Sequence, residues 1–196
     1  MHKRIKFTLL LCLVMLLTLS ACSGDDATQD WKVFTIEQEP GFDIQFRLPP
    51  RWLVDYAPTR DKPGQWDITL VPPKCSPDQE VEFLQNCVTL IAHIKGPSTF
   101  NKEAFLELTS GDISLSPDGS QTAKLMGRDS FRVNRINVEE FNHLITTSLG
   151  DVEMSAYFFE TDSAYYTFIT NLPYGAPESE VDQNFDLMLR SVEKTK

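Results

Sequence analysis

Two segments in the last third of the chain leave no polar face. Ala156-Tyr157-Phe158-Phe159 and Tyr165-Tyr166-Thr167-Phe168-Ile169 are apolar or aromatic at almost every position. Successive residues of a strand point to opposite faces, and a sheet with one face in water alternates apolar and polar residues accordingly. These segments do not alternate, so the sheet that holds them must be covered on both sides. Two helical patterns are available as cover. The first begins at Asn101, a good N-cap; Phe100 and Phe105 stand at the N′ and N4 positions of a hydrophobic staple, and Gly111 at C′. The second is expected over about 177–192, with Val181, Phe185, Met188 and Val192 on one face. Pro177 suits its first turn; Glu178 and Glu180 near its start, and Arg190 and Lys194 near its end, suit the helix dipole. The expected fold class is therefore α+β: an antiparallel sheet covered by helices on both faces, an α/β/α sandwich.

The remaining strands follow from alternation and turn residues. Phe42, Ile44, Phe46 and Leu48 alternate with Asp43, Gln45 and Arg47, and Pro49-Pro50 ends that strand. Others are expected at 31–36, 52–56, 66–71, 87–94, 123–126, 130–138, 143–149, 152–160 and 164–171. Gly127, Gly150-Asp151 and Thr161-Asp162-Ser163 separate the late ones.

The N-terminal segment has a different character. His2, Lys3, Arg4 and Lys6 precede an apolar run from Phe7 to Leu19, which ends in Leu19-Ser20-Ala21-Cys22. The run is shorter than the ~20 apolar residues a spanning helix needs, and basic, apolar and small-residue segments in that order make a secretory signal. The ending resembles the lipobox of bacterial lipoproteins. That resemblance implies a signal peptide over residues 1–21, lipid (palmitate among the acyl chains) on Cys22, and a lipidated tether over 22–30. Two or more acyl chains anchor a protein stably where one does not. Ser23 at the position after the cysteine implies the outer membrane, facing the periplasm, since aspartate there retains such proteins at the inner membrane. Ser23–Asp30 is small, polar and acidic, with a reach of at most about 28 Å.

Export constrains the cysteines. Of four, Cys12 leaves with the signal and Cys22 takes the lipid, so Cys75 and Cys87 remain. A remaining pair in an oxidising compartment reads as a disulfide, one that stabilises by about 3 kcal/mol in the chain-entropy view. The spacing is not C-x-x-C, and His93 lies outside any usual zinc-ligand spacing. The whole chain carries a formal charge of −10, and loss of a leader with three basic residues and no acid makes it more negative. Such a surface disfavours nucleic acid and anionic headgroups. One globular domain over 31–196 is expected.

Catalytic motifs are recognised by the chemistry their spacing allows, and none is complete here. The chain has no H-E-x-x-H, no G-x-S-x-G elbow and no glycine-rich phosphate loop. Gly111-Asp112-Ile113-Ser114 departs from a Gly-Asp-Ser motif by an intervening isoleucine, and Ser116, Asp118 and Ser120 lack the carboxylate ladder of a calcium loop. No cofactor or metal is expected, and His93, in an apolar strand, reads as a packed histidine. Arg128, Arg132 and Arg135 form a basic cluster in an acidic chain. It reads either as a solvated strand edge paired to nearby acids or as a patch that docks a partner.

The element order resembles the PsbP-like fold, which includes DcrB-like bacterial lipoproteins. The matching residues are Gly41-Phe42-Asp43-Ile44 leading to Leu48-Pro49-Pro50-Arg51-Trp52, the helix from Asn101, Gly127 to Phe131, and Phe185 to Val192. The resemblance implies an α/β/α sandwich and an accessory, assembly or chaperone-like role without enzymatic activity. The expectation is a membrane-anchored envelope lipoprotein that binds a protein partner. The alternative is a small-ligand-binding or hydrolytic periplasmic domain with a cleft built from scattered residues. Cleavage before Cys22 and acylation of its sulfur and amine should be visible by mass spectrometry of the membrane fraction. Cys22→Ser should leave an unprocessed or mislocalised precursor; an unmodified Cys22 in the membrane-bound protein would contradict lipidation.

Overall fold

The computed structural model describes residues 28–36, 41–59, 62–73, 88–116, 119, 121–147, 150–175 and 177–195. The leader, Cys22, Cys75 and Cys87 lie outside them, so the lipidation and disulfide expectations fall outside the described residues. Residues 1–30 form one unit, of which only a turn at Thr28–Asp30 is described, and residues 31–196 form another. The second unit carries the strands and helices.

In chain order its elements are β1 (Lys32–Thr35), β2 (Ile44–Leu48), β3 (Leu53–Pro58), β4 (Gln65–Val71), β5 (Val88–Ile94), α1 (Lys102–Thr109) and β6 (Ile113–Ser114). They continue with β7 (Thr122–Val133), β8 (Ile136–Thr147), β9 (Gly150–Glu160), β10 (Ala164–Pro173), α2 (Glu180–Arg190) and β11 (Glu193–Lys194). Every pairing among the described residues is antiparallel. A large sheet runs β3-β4-β5-β10-β9-β8-β7-β6, and a small one β1-β2-β11.

β9 and β10 occupy the middle of the large sheet, which is why their sequences are apolar on both faces. Their cover differs from the helical layers expected. The α/β/α sandwich, with helices on both faces, does not form: among the described residues strand outweighs helix by 54% to 14%, and a second sheet does much of the covering. Alternation in β2 buries Ile44, Phe46 and Leu48, and Phe46 meets Phe168 of β10 edge-on at 5.6 Å. α2 adds Phe185, Met188 and Leu189 to the same core. On the opposite face the eight-residue α1 packs on β8–β10, where Phe105 lies 5.2 Å from Phe158 and Phe100 lies 5.1 Å from Tyr165. The difference has a physical source. Doubly apolar strands require cover, but a small amphipathic sheet supplies it as well as a helix does.

The caps of both helices form locally. Asn101 Oδ1 accepts from Ala104 N at 2.9 Å, and the Phe100 and Phe105 rings stand 5.5 Å apart. Ser179 and Asp182 make a reciprocal capping box at the start of α2. Gly111 is not in the left-handed region; Ser110 closes α1, donating its N–H to Leu106 O.

The late strands also differ in one place from expectation. Residues 122–133 form one strand that runs through Gly127 with a bulge between Leu125 and Gly127, and the stretch expected as a single strand over 130–138 is folded in two. Asn134 and Arg135, at φ 43° and 74°, make the two-residue turn between β7 and β8. Positive φ at both central positions defines the turn that matches strand twist, and it favours asparagine followed by glycine. Arginine in the second position is strained. Arg135→Gly should therefore raise stability by up to about 1 kcal/mol, read as a higher melting temperature with an unchanged circular-dichroism spectrum.

Candidate functional site

A cleft of about 470 Å³ opens between α2 and the large sheet. Phe131 and Tyr157 form its floor, and Val181, Phe185 and Leu189 of α2 form its wall. The Tyr157 and Phe185 rings stand 5.2 Å apart. Its rim is charged, with Asp129, Glu140, Asp182 and Asp186 against Arg132 and Arg190.

α2 is capped at its N-terminal end and tied to its surroundings at its C-terminal end. At the N-terminal end Asp182 Oδ2 accepts from Ser179 N at 2.6 Å. At the C-terminal end Asn134 Nδ2, on the β7–β8 turn, donates to Arg190 O (3.1 Å) and Val192 O (3.0 Å). Ser191 Oγ accepts from Arg47 N at 2.8 Å and so ties the same end to β2.

Some rim charges are already committed. Arg190 pairs with Asp186 at 2.7 Å, and the Asp182 carboxylate belongs to the cap. Asp129 and Glu140 are direct cross-strand partners. Neither makes an ion pair among the described residues, although Asn142 Nδ2 donates to Glu140 at 3.0 Å. Burial, and then the Glu140 charge, push the Tyr157 phenol above its ordinary range. Asn171 Oδ1, at the margin, is a buried acceptor without a partner among the described residues.

The three arginines singled out in the sequence stand in different settings. Arg128 is engaged: it pairs with Glu139 at 3.1 Å, donates to Ser110 Oγ at 3.2 Å, and lies 5.2 Å from the centre of the Phe141 ring. Arg132 borders the cleft and has no ion pair among the described residues. Arg135 sits at the turn. The cleft itself was not legible in the sequence, because its walls come from β7, β8, β9, β10 and α2. The alternation of Phe131 and Val133 with Arg132 was the local sign that one face of β7 borders apolar surface.

The two histidines outside the leader lie elsewhere, on the α1 side of the large sheet. His143 is fully buried, with Nε2 3.1 Å from Gly111 O. His93 stacks on Phe100 at 4.3 Å, and its Nδ1 lies 3.3 Å from Ser98 Oγ. That hydroxyl accepts from Phe100 N at 3.1 Å, which leaves its proton for the imidazole. Burial, only partly opposed by the charge of Asp67, lowers the His93 pKa to about 4. A base that weak is poorly matched to taking a proton from serine at neutral pH, so the contact reads as packing and capping.

No protein-family model and no curated protein matches the chain. Among solved structures it is similar to a crystal structure from Bacteroides thetaiotaomicron VPI-5482, at 12% identity and a TM-score of 0.48, over 85% of this chain and 49% of that one. It is also similar to a protein of unknown function from Pseudomonas aeruginosa, at 8% identity and a TM-score of 0.36, over 82% of this chain and 94% of that one. The chain thus spans about half the length of the first. Neither likeness bears on what this chain binds.

The depressed His93 pKa makes a stability prediction. The unfolded imidazole takes up its proton near pH 6.5 and the folded one only near 4. The contribution is complete above pH 6.5 and is lost as the pH falls toward 4. Between pH 7 and 5 the loss should be about 2 kcal/mol, measured by urea unfolding. His93→Gln should flatten the slope in that window; an unchanged slope would show that another group carries it.

Proposed function

We propose that this chain is an envelope lipoprotein, anchored through lipid on Cys22 at the periplasmic face of the outer membrane, that works by binding a protein partner and performs no chemistry of its own. The observation that carries the reading is the cleft beside α2: an apolar floor of aromatic side chains inside a ring of charge. That is the layout of a protein-binding surface, with an apolar centre and a polar rim. Both ends of its helical wall are capped, so the surface exists before a partner arrives, and preorganisation reduces the ordering cost of association. The lipobox supports the location. A tether over 22–30 keeps the domain in a thin layer at the membrane and raises its effective concentration for membrane neighbours.

One observation favours a second reading. The cleft has the volume of a small-molecule site, and its lining sets the polar side chains of Tyr157, Thr170 and Asn171 beside apolar ones.

A photo-crosslinking residue at Val181, in the cleft wall, separates the two readings in intact cells. A partner-binding cleft should yield a discrete protein adduct from Val181 and none from Leu53, which is 69% exposed on β3. The absence of an adduct from Val181, with the protein folded and lipidated, would refute the partner reading. Turnover of a substrate by purified protein would refute the non-enzymatic part.

A further inference from the structure

We infer that the outer edge of β7, from Arg128 to Arg132, accepts an extended segment of the partner protein as an added strand, and that this segment carries an acidic, an apolar, an unrestricted and a basic residue in succession. The inference rests on the partner reading of the cleft and gives that partner a chemistry.

The edge is open by geometry. A two-residue turn makes Val133 and Ile136 a hydrogen-bonded pair. Alternation then points the N–H and C=O of Arg132, Ser130 and Arg128 away from β8. Ser130 agrees, since its N–H goes to Asp129 Oδ1 at 2.7 Å and not to the ladder. β6 pairs only with Thr122 and Ala123, and Asp112 Oδ1 takes the N–H of Leu125. Beyond that point no strand covers β7 among the described residues, and Arg128, Asp129, Ser130 and Arg132 are exposed.

A bare edge invites any strand, and natural edges are guarded with charge. The charges on this edge are of opposite sign on its two faces. By alternation Arg132 projects from the face opposite Asp129, although at the strand's edge it also borders the cleft, and it has no ion pair among the described residues. On the cleft side Asp129 stands directly opposite Glu140, and like charges so placed are destabilising. A cation beside Asp129 on the open side offsets that repulsion. Phe131, two residues from Asp129 on the same face, lines the cleft. A strand laid antiparallel to β7 therefore meets Arg132 with an acid, Phe131 with an apolar residue, Ser130 with any residue, and Asp129 with a base. On docking, a partner carbonyl takes the Ser130 N–H and frees the Asp129 carboxylate for that base. A second copy fits worse: in the antiparallel register centred on Ser130, Arg128 of each copy faces Arg132 of the other.

The test uses full-length lipidated protein in detergent and a short fluorescent peptide with glutamate, valine, threonine and lysine at successive central positions. Anisotropy should show binding, and exchanging the glutamate and lysine should weaken it about tenfold. Ser130→Pro removes an N–H that faces outward, a position where an edge strand tolerates proline, and should abolish binding with the melting transition retained. Arg132→Glu, an exposed change, should shift preference to a peptide with lysine in place of the glutamate. No binding by wild type, or wild-type binding by Ser130→Pro together with unchanged preference in Arg132→Glu, would overturn the inference. Crosslinking from Val181 that persists in Ser130→Pro cells would refute the edge and leave the cleft reading standing.

Discussion

β9 and β10 are buried on both faces, and the rest of the domain is arranged to cover them. Phe159 and Tyr166 stack at 5.2 Å, Phe168 lies 6.0 Å from Phe159 and 5.6 Å from Phe46, and Phe185 closes on Phe168 from α2. Truncating one such ring in a packed core costs about 3–5 kcal/mol, a large part of the stability of an ordinary domain. Tyr166 also binds the small sheet to the large one. Its hydroxyl donates to Asp43 Oδ1 at 3.1 Å and accepts from Asp43 N at 3.0 Å. Burial pushes that phenol above its ordinary range. Tyr166, fully buried, thus has its polar end satisfied just before β2 begins.

The cleft is a consequence of how far that cover extends. α2 spans eleven residues, and its buried side chains, Phe185, Met188 and Leu189, join the core built around β10. Toward β7 the same sheet face is only partly closed, which leaves Phe131 and Tyr157 half-buried. The turn that strains Arg135 also places Asn134 against the last carbonyls of α2. Strain at the turn and fixation of the cleft wall are therefore two results of one geometry, and relaxing the first need not loosen the second, since the asparagine makes the contacts.

Local chemistry was readable from the sequence where it acts through neighbours. Asn101, Phe100 and Phe105 identify the start of α1 because a cap and a staple involve residues a few positions apart. Alternation identifies β2, and doubly apolar runs identify central strands. The hairpin at Asn134-Arg135 was hidden because its second residue is not glycine, so the usual turn signal is missing. The choice between helix and sheet as cover was hidden for a different reason. Ile44, Phe46 and Leu48 show that β2 has an apolar face, but nothing in that alternation says which other apolar face it meets. The cleft was hidden for the same reason at longer range.

The electrostatics of the site differ from those of the chain. A formal charge of −10 attracts basic partners at a distance and repels acidic ones. That field decays over about 8 Å at physiological ionic strength, so it governs approach more than fit. At contact the pattern alternates: Arg132 projects from one face of β7, and Asp129, Phe131 and the facing Glu140 from the other. A uniformly basic segment is steered in and then meets Arg132; a uniformly acidic one is repelled twice, by the field and by the carboxylate pair. Only a segment with both signs in the right order gains at each position. Specificity built this way comes from what it excludes as much as from what it binds.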